Sequence, residues 1–366
     1  MRICMIVPER DVMGGIASVV NGYREYDFGK EYEMRYVESY CDGSKGKKLI
    51  KAVRGYLAFL RELWFHRPDI VHVHSSFGPS FYRKLPFIYM ASWTGRRIVN
   101  HIHGADFALL YPESSEKKRK LVQKVYGRCD IIVALSEEWK KAFSLIVPPE
   151  KIRILPNYCR IPLPKKVITK NRILFLGAFE KRKGCFDIPQ IYREATVRSD
   201  KLPLVMAGDG DMEGVRKRFE ESLHPLSQVT HGEAENPEAE KQEQVTFPGW
   251  VRGEAKEELL RESDIFLFPT YNEGMPMAVL EAMANEMAIV TTGVGGIPKL
   301  IEDGVSGYLC EPGNVAEIAD RLAELIKDKE KRAAFGRAAR KRATEQYGME
   351  GHITELKRIY KELATQ

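Results

Sequence analysis

The stretch Pro269-Thr-Tyr-Asn-Glu-Gly-Met-Pro-Met-Ala-Val-Leu-Glu281 decides how this chain is read. The apolar run Ile265-Phe-Leu-Phe268 leads into it, and Ala288-Ile-Val-Thr-Thr292 lies beyond it. Both runs have the length and composition of buried strands. The stretch is therefore the turn and helix of a β-α-β unit. Pro276 suits the first turn of that helix, where a missing N–H has no helical partner to lose. The amides of Gly274, Met275 and Met277 then lie near the positive end of the helix dipole, where an anion is favoured. Two carboxylates, Glu273 and Glu281, have seven residues between them. One falls in the loop before the helix and the other about one turn inside it. Strand-end loops of this kind are where open α/β sheets take ligands.

Outward from this unit, β-α alternation fills the chain. At 366 residues there is room for two domains, and 44% hydrophobic with 30% charged residues is an ordinary soluble composition. No apolar run reaches transmembrane length. The opening Met1-Arg-Ile-Cys-Met-Ile-Val7 reads as a strand followed at once by charge, not as a signal peptide. Six scattered cysteines form no CxxC or Cys/His cluster, so a reduced cytoplasm is expected, with neither a disulfide frame nor a zinc site. A net charge of +6 suits phosphate ligands or an anionic membrane surface and does not by itself imply nucleic acid.

In the first half, Arg2 to Val7 is a strand, and Gly14-Gly15-Ile16 opens a helix through Val19, Val20 and Tyr23. Glycines at that junction let a ligand approach the backbone, although a tight turn alone would also use them. Gly46 to Pro68 reads as one long helix on which Leu49, Ile50, Val53, Tyr56, Leu57, Leu60 and Leu63 keep the helical period. Lys45, Lys47, Lys48, Lys51 and Arg54 crowd its first half. Ile70 to His74, Arg97 to Gly104, Asp130 to Ser136 and Lys151 to Asn157 are further strands, and Glu113 to Arg128 is a basic helix. His72, His74 and His101 alternate along strands and are expected to pack. His103, at a strand end beside Gly104, is the exception.

Tyr158 to Lys170 reads as an interdomain linker. Alternation restarts at Arg172. The expected domains are 1–160, joined by a returning helix within 347–366, and 171–346. The Glu-rich segment 224–244 reads as a solvated insertion.

The E-x7-E pair, followed by Gly293-Val-Gly-Gly-Ile-Pro298 and Glu302-Asp-Gly-Val-Ser-Gly307, resembles the retaining nucleotide-sugar glycosyltransferases of family 4. That resemblance implies the α/β GT-B fold: two doubly wound Rossmann-like domains facing across a cleft, with the last helix crossing back to the first. It implies sugar transfer from a UDP- or GDP-sugar to a hydroxyl of a glycan or lipid-linked acceptor, in surface polysaccharide assembly. It assigns catalytic work to His103, Lys183 and Glu273. Donor contacts fall to Gly14, Gly15, Arg182, Gly208, Trp250, Val251, Gly274, Met275, Pro276 and Glu281, with Glu273 on the sugar and Glu281 on the ribose. Asp106 is a weaker acceptor-side candidate. The family's phosphate-binding G-R-x-x-x-x-K-G appears as Gly177-Ala-Phe-Glu-Lys-Arg-Lys183-Gly184, so Ala178 stands where the arginine is expected. Asp209-Gly-Asp211 spells D-x-D, but in a turn after a buried strand, and lysine and arginine already supply cations. No obligatory metal or other cofactor is expected.

Two basic stretches and the aromatic Phe77–Phe87 region lie in the first half, a combination that suits peripheral contact with an anionic membrane. A cytoplasmic protein at the inner membrane face is the expected setting. The rival readings are a GT-B enzyme that is not a transferase, such as a sugar-nucleotide epimerase, and a catalytically silent nucleotide-sugar binder.

Overall fold

The computed structural model describes residues 1–104, 107–163, 171–227 and 244–365. It divides into two compact units. The first comprises Met1–Tyr158, Gly274–Met277 and Met349–Gln366, and the second Cys159–Glu273 and Ala278–Gly348.

The first unit is built on β1 (Arg2–Val7), β2 (Glu33–Glu38), β3 (Ile70–Ser75), β4 (Arg97–Ile102), β5 (Ile131–Ala134) and β6 (Ile152–Ile154). They form a sheet in the order β2-β1-β3-β4-β5-β6, and every pairing is parallel. Strands such as β3 are buried at every residue, because helices cover both faces of a parallel sheet. One core joins Ile3, Met5 and Val7 of β1 to Val19, Val20 and Tyr23 of the helix Gly15–Glu25 and to Ile353, Leu356 and Tyr360 of the last helix, Met349–Ala364. The terminal helix is thus part of the first unit, as the resemblance implies.

The second unit uses β7 (Ile173–Leu176), β8 (Leu204–Ala207), β9 (Val245–Gly249), β10 (Ile265–Phe268), β11 (Ala288–Thr292) and β12 (Gly307–Cys310). Its order is β12-β11-β10-β7-β8-β9, again wholly parallel. Strand order reverses between β7 and β10 here, and between β1 and β3 in the first unit. Open sheets bind ligands beyond the carboxyl ends of the strands at such reversals.

Four expectations need correction. The long helix is Lys45–Arg61, prolonged by one π-helical turn, Glu62–His66, and stopped by Arg67 at φ 47°. Only Ala52, Gly55 and Phe59 of the helix proper are buried, so its periodic leucines are not the core face. The basic helix is shorter than read: Ser115 caps Glu116–Gly127. The start of the linker is fixed, since Tyr158 is buried with its hydroxyl on the Val19 carbonyl, and the Cys159 amide donates to Tyr347. In the 224–244 segment, residues up to Ser227 continue the helix Met212–Ser227, and the Gln244 carbonyl already accepts from Leu204. Residues 228–243 lie outside the described residues, as does Asp106.

Candidate active site

In the second unit the β7 and β10 loops are locked together. After β7 a short 3-10 turn, Lys181–Lys183, ends at Gly184, whose φ is 69°. A side chain there would collide with the Pro269 carbonyl, so only glycine lets the two loops touch. The Arg182 carbonyl accepts from the Tyr271 amide at 2.8 Å and from the Thr270 hydroxyl at 3.0 Å. The Arg182 guanidinium returns a bond of 3.1 Å to the Asn272 carbonyl.

This lock brings Lys183 onto Glu273. The ammonium ion-pairs with the carboxylate, and the Thr270 hydroxyl stands 3.4 Å from the same oxygen. Glu273 is buried, and a buried carboxylate needs such a counter-charge. Lys183 also lies 5.4 Å above the Phe268 ring. Two residues assigned separate jobs from sequence are one paired unit in this structure.

Glu281 lies in the helix Met277–Ala284, which begins immediately after Pro276. Its carboxylate accepts from Lys256 at 2.7 Å. Lys256 belongs to the helix Gly253–Glu262 that follows the Trp250-Val251 segment. Trp250 is exposed beneath the Arg252 guanidinium, 5.4 Å from its ring centre, and Val251 is half-buried. Sequence reading missed Lys256. The only signal was a lysine one turn into the helix after that segment, which many solvated helices share.

Ala178 carries no charge into the β7 loop, and its carbonyl is used by the Glu180 amide at 2.9 Å. The cations beside it are Lys181, Arg182 and Lys183. Gly208 has a backbone reason to be glycine, since a side chain would strike the Gly177 carbonyl. The D-x-D pair is used locally. The Asp211 carboxylate accepts from the Gly214 amide at 2.9 Å, and the Asp209 carbonyl accepts from Phe179 at 2.7 Å.

In the first unit, Gly14 has φ 127° and precedes the helix Gly15–Glu25, and space is open in front of both glycines. His103 follows β4, with its amide held by the Ser75 carbonyl at 2.9 Å. Its Nε2 shares a 2.9 Å hydrogen bond with His74 Nδ1. Burial pushes its pKa down to about 3, the nearby His352 adds to that, and the neighbouring Asn157 side chain opposes it. His103 is therefore a neutral imidazole at neutral pH. The Asn157 amide donates to the Met275 carbonyl at 2.8 Å, while His103 Nδ1 and Asn157 Oδ1 are buried without a hydrogen-bond partner among the described residues. Asn157 was not singled out from sequence, where it looked like the end of a strand.

His72, His74 and His101 are buried, as expected for packing residues. Among the described residues, these three place ring nitrogens within 4.8 Å of one another, close enough to consider for a metal ion. The His72 and His74 rings stack at 4.3 Å, and His72 Nδ1 is engaged by the Tyr360 hydroxyl at 2.6 Å. Stacked rings set their planes side by side rather than converging lone pairs on one point.

Comparison with known proteins bears on the family and the fold. The family described as Glycosyltransferase Family 4 matches residues 23–159, and Glycosyl transferases group 1 matches residues 164–342. The chain is 26% identical over 308 residues to N-acetyl-alpha-D-glucosaminyl L-malate synthase of Bacillus anthracis, covering 80% of this chain and 74% of that protein. It is 25% identical over 309 residues to the Escherichia coli UDP-Gal:alpha-D-GlcNAc-diphosphoundecaprenol alpha-1,3-galactosyltransferase, covering 77% and 72%. In fold it resembles Anabaena Alr3699/HepE, solved with UDP-glucose, with a TM-score of 0.72 at 16% identity over 99% of this chain and all of that one. Two doubly wound units, each with a strand-order reversal in its parallel sheet, match the GT-B fold. The chain belongs to glycosyltransferase family 4 and is a glycosyltransferase.

Proposed function

We propose that the protein moves a sugar, with retention, from a UDP- or GDP-sugar to a hydroxyl of a glycan or lipid-linked acceptor in surface polysaccharide assembly. The observation that carries this reading is the Lys183–Glu273 pair at the reversal between β7 and β10. Breaking a sugar–phosphate bond leaves negative charge on the departing diphosphate. Lys183 and Arg182 meet that charge, together with the Gly274 and Met275 amides. Arg182 takes the place of the arginine that Ala178 lacks. Glu273, oriented by Lys183 and Thr270, accepts from a donor sugar hydroxyl. Glu281, oriented by Lys256, accepts from the ribose hydroxyls. Trp250 and Val251 flank the base, and Gly208 lets the diphosphate approach the backbone. In the first unit, Gly14 and Gly15 leave their backbone open to phosphate, and neutral His103 hydrogen-bonds the sugar near the anomeric carbon.

Glu273 already holds a counter-ion, which suits a hydrogen-bond acceptor better than a nucleophile. The departing phosphate then takes the acceptor proton as the new bond forms on the same face. Both curated relatives have alpha-linked sugars in their names, and one acts on a diphosphoundecaprenol-linked sugar. We read the transfer as needing no bound metal, because lysine and arginine supply the positive charge. The six cysteines are buried and unpaired, which suits a cytoplasmic setting.

A donor panel tests this reading, combining thermal shift with product detection for uridine, guanosine and adenosine sugars. Stabilisation by one nucleotide class, with turnover only when an acceptor is added, is expected. Donor conversion without acceptor would indicate an epimerase, and stabilisation without turnover a silent binder.

A further inference from the structure

The helix Lys45–Arg61 carries an apolar stripe that none of the described residues covers. Ala52, Gly55 and Phe59 face inward, and a side chain at Gly55 would press on the Glu38 backbone, so the helix lies close on the sheet. Lys51 pins one flank through Glu38 at 2.7 Å and Glu9 at 3.0 Å. On the other flank Leu49, Ile50, Val53, Leu57 and Leu60 fall within an arc of roughly 100° at helical spacing. They stand in solvent, Leu49 at 67% exposure and Leu57 at 62%. The π-turn extends the stripe with Trp64 at 77% and Phe65 at 71%. Exposed apolar surface this continuous marks a contact face.

Charge identifies the partner. The helix has six basic residues and no acidic one. Lys47, Arg54 and Arg61 run along the outer edge of the stripe and are exposed. A stripe of leucine, isoleucine and tryptophan bordered by lysine and arginine matches the headgroup boundary of an anionic bilayer. A second copy of this chain would bring like charges together. Of the aromatics in the Phe77–Phe87 region, Phe77, Phe81 and Phe87 are buried, and Tyr82 is exposed.

We propose that Lys45–His66 lies in the plane of an anionic membrane, with its exposed apolar side chains between Leu49 and Phe65 inserted and the basic edge on lipid headgroups. No helix among the described residues is long and apolar enough to cross a membrane, so attachment through this segment is peripheral. The inference builds on the proposed lipid-linked acceptor, but it is read out without turnover.

The test is co-sedimentation of the full chain with zwitterionic vesicles and with vesicles enriched in phosphatidylglycerol, at physiological salt. The wild type is expected to pellet with the anionic vesicles only, with tryptophan emission shifting to the blue. Leu57→Ser with Trp64→Ser should reduce the bound fraction about tenfold or more, since both apolar anchors are lost. Arg54→Glu with Arg61→Glu should weaken binding by a similar factor, and added salt should weaken wild-type binding. Melting temperature and the nucleotide-induced thermal shift should not change, because these side chains face solvent. Absence of wild-type binding overturns the inference. So does equal binding by the apolar variant, or a wild-type dimer in light scattering that the variant abolishes. Vesicle binding without a nucleotide shift would instead fault the proposed function and leave the membrane face standing.

Discussion

Lys183→Met separates what the Lys183–Glu273 pair does for the fold from what it does for chemistry. The side chains are 17% and 8% accessible, so the pair is largely shielded from water. Removing the lysine leaves a buried carboxylate with, among the described residues, only the Thr270 hydroxyl beside it, at 3.4 Å. Losing one partner of a buried pair typically costs 3–5 kcal/mol. Lys183 keeps some solvent contact, so about 3 kcal/mol is expected. In a unit of this size that is a fall of roughly 6–12 °C in melting temperature. Removing both charges together, as Lys183→Met with Glu273→Gln, should restore most of the loss, because no isolated charge remains. Turnover should behave differently. A lysine that meets developing charge is worth about 10²–10³ in kcat, and the double variant should not recover it. Differential scanning calorimetry and steady-state kinetics on the two variants decide the matter. Recovery of activity along with stability in the double variant would refute the catalytic role and leave the lysine structural.

Three further outcomes follow from the same geometry. Glu281→Gln removes the anionic acceptor proposed for the ribose and should raise the donor KM about tenfold or more, with a smaller effect on kcat; an unchanged KM would remove Glu281 from the donor site. Asn157→Ala removes the amide that holds the Met275 carbonyl beside the proposed donor contacts and should lower kcat roughly tenfold at unchanged donor KM, whereas equal loss in both would point to a general packing defect. Acidification should destabilise the first unit. Burial lowers His72 and His103 to about 3 and His352 to about 4, from an ordinary 6.5, so between those values the unfolded chain binds protons that the folded chain refuses. Stability is then complete above 6.5 and falls as pH drops towards 4, by an order of a few kcal/mol per histidine. Melting temperature against pH should slope through this window, less steeply in His72→Phe; a flat profile would contradict the burial of neutral imidazoles.

The fold was legible in the sequence because buried parallel strands are continuous apolar runs. Ile70-Val-His-Val-His74 and Ile265-Phe-Leu-Phe268 announce themselves without structural help. Periodicity failed at Lys45–Arg61 for a physical reason. A helix facing a core and a helix facing a lipid surface have the same spacing of leucines, and only the packed neighbours tell them apart. The small residues Ala52 and Gly55 mark the true inward face, but small residues carry little weight in a hydrophobic pattern. The individual charges of the site were legible from spacing and resemblance, whereas their pairing was not. Lys183 meets Glu273, and Lys256 meets Glu281, across chain separations of 90 and 25 residues. Such contacts depend on how loops interlock at the β7–β10 reversal, which no local pattern encodes. Asn157 was invisible for a similar reason, since its partner Met275 comes from a distant segment.

The most direct measurement is proton NMR of the purified protein with its matched nucleotide sugar and a lipid-diphosphate-linked acceptor. For a gluco- or galacto-configured sugar, nucleoside diphosphate should accumulate in step with a new anomeric doublet of small coupling constant, the signature of an alpha linkage made with retention from an alpha-linked donor. Lys183→Met should slow both signals together. A large coupling constant, or loss of the donor signal that does not depend on the acceptor, would contradict retaining glycosyl transfer.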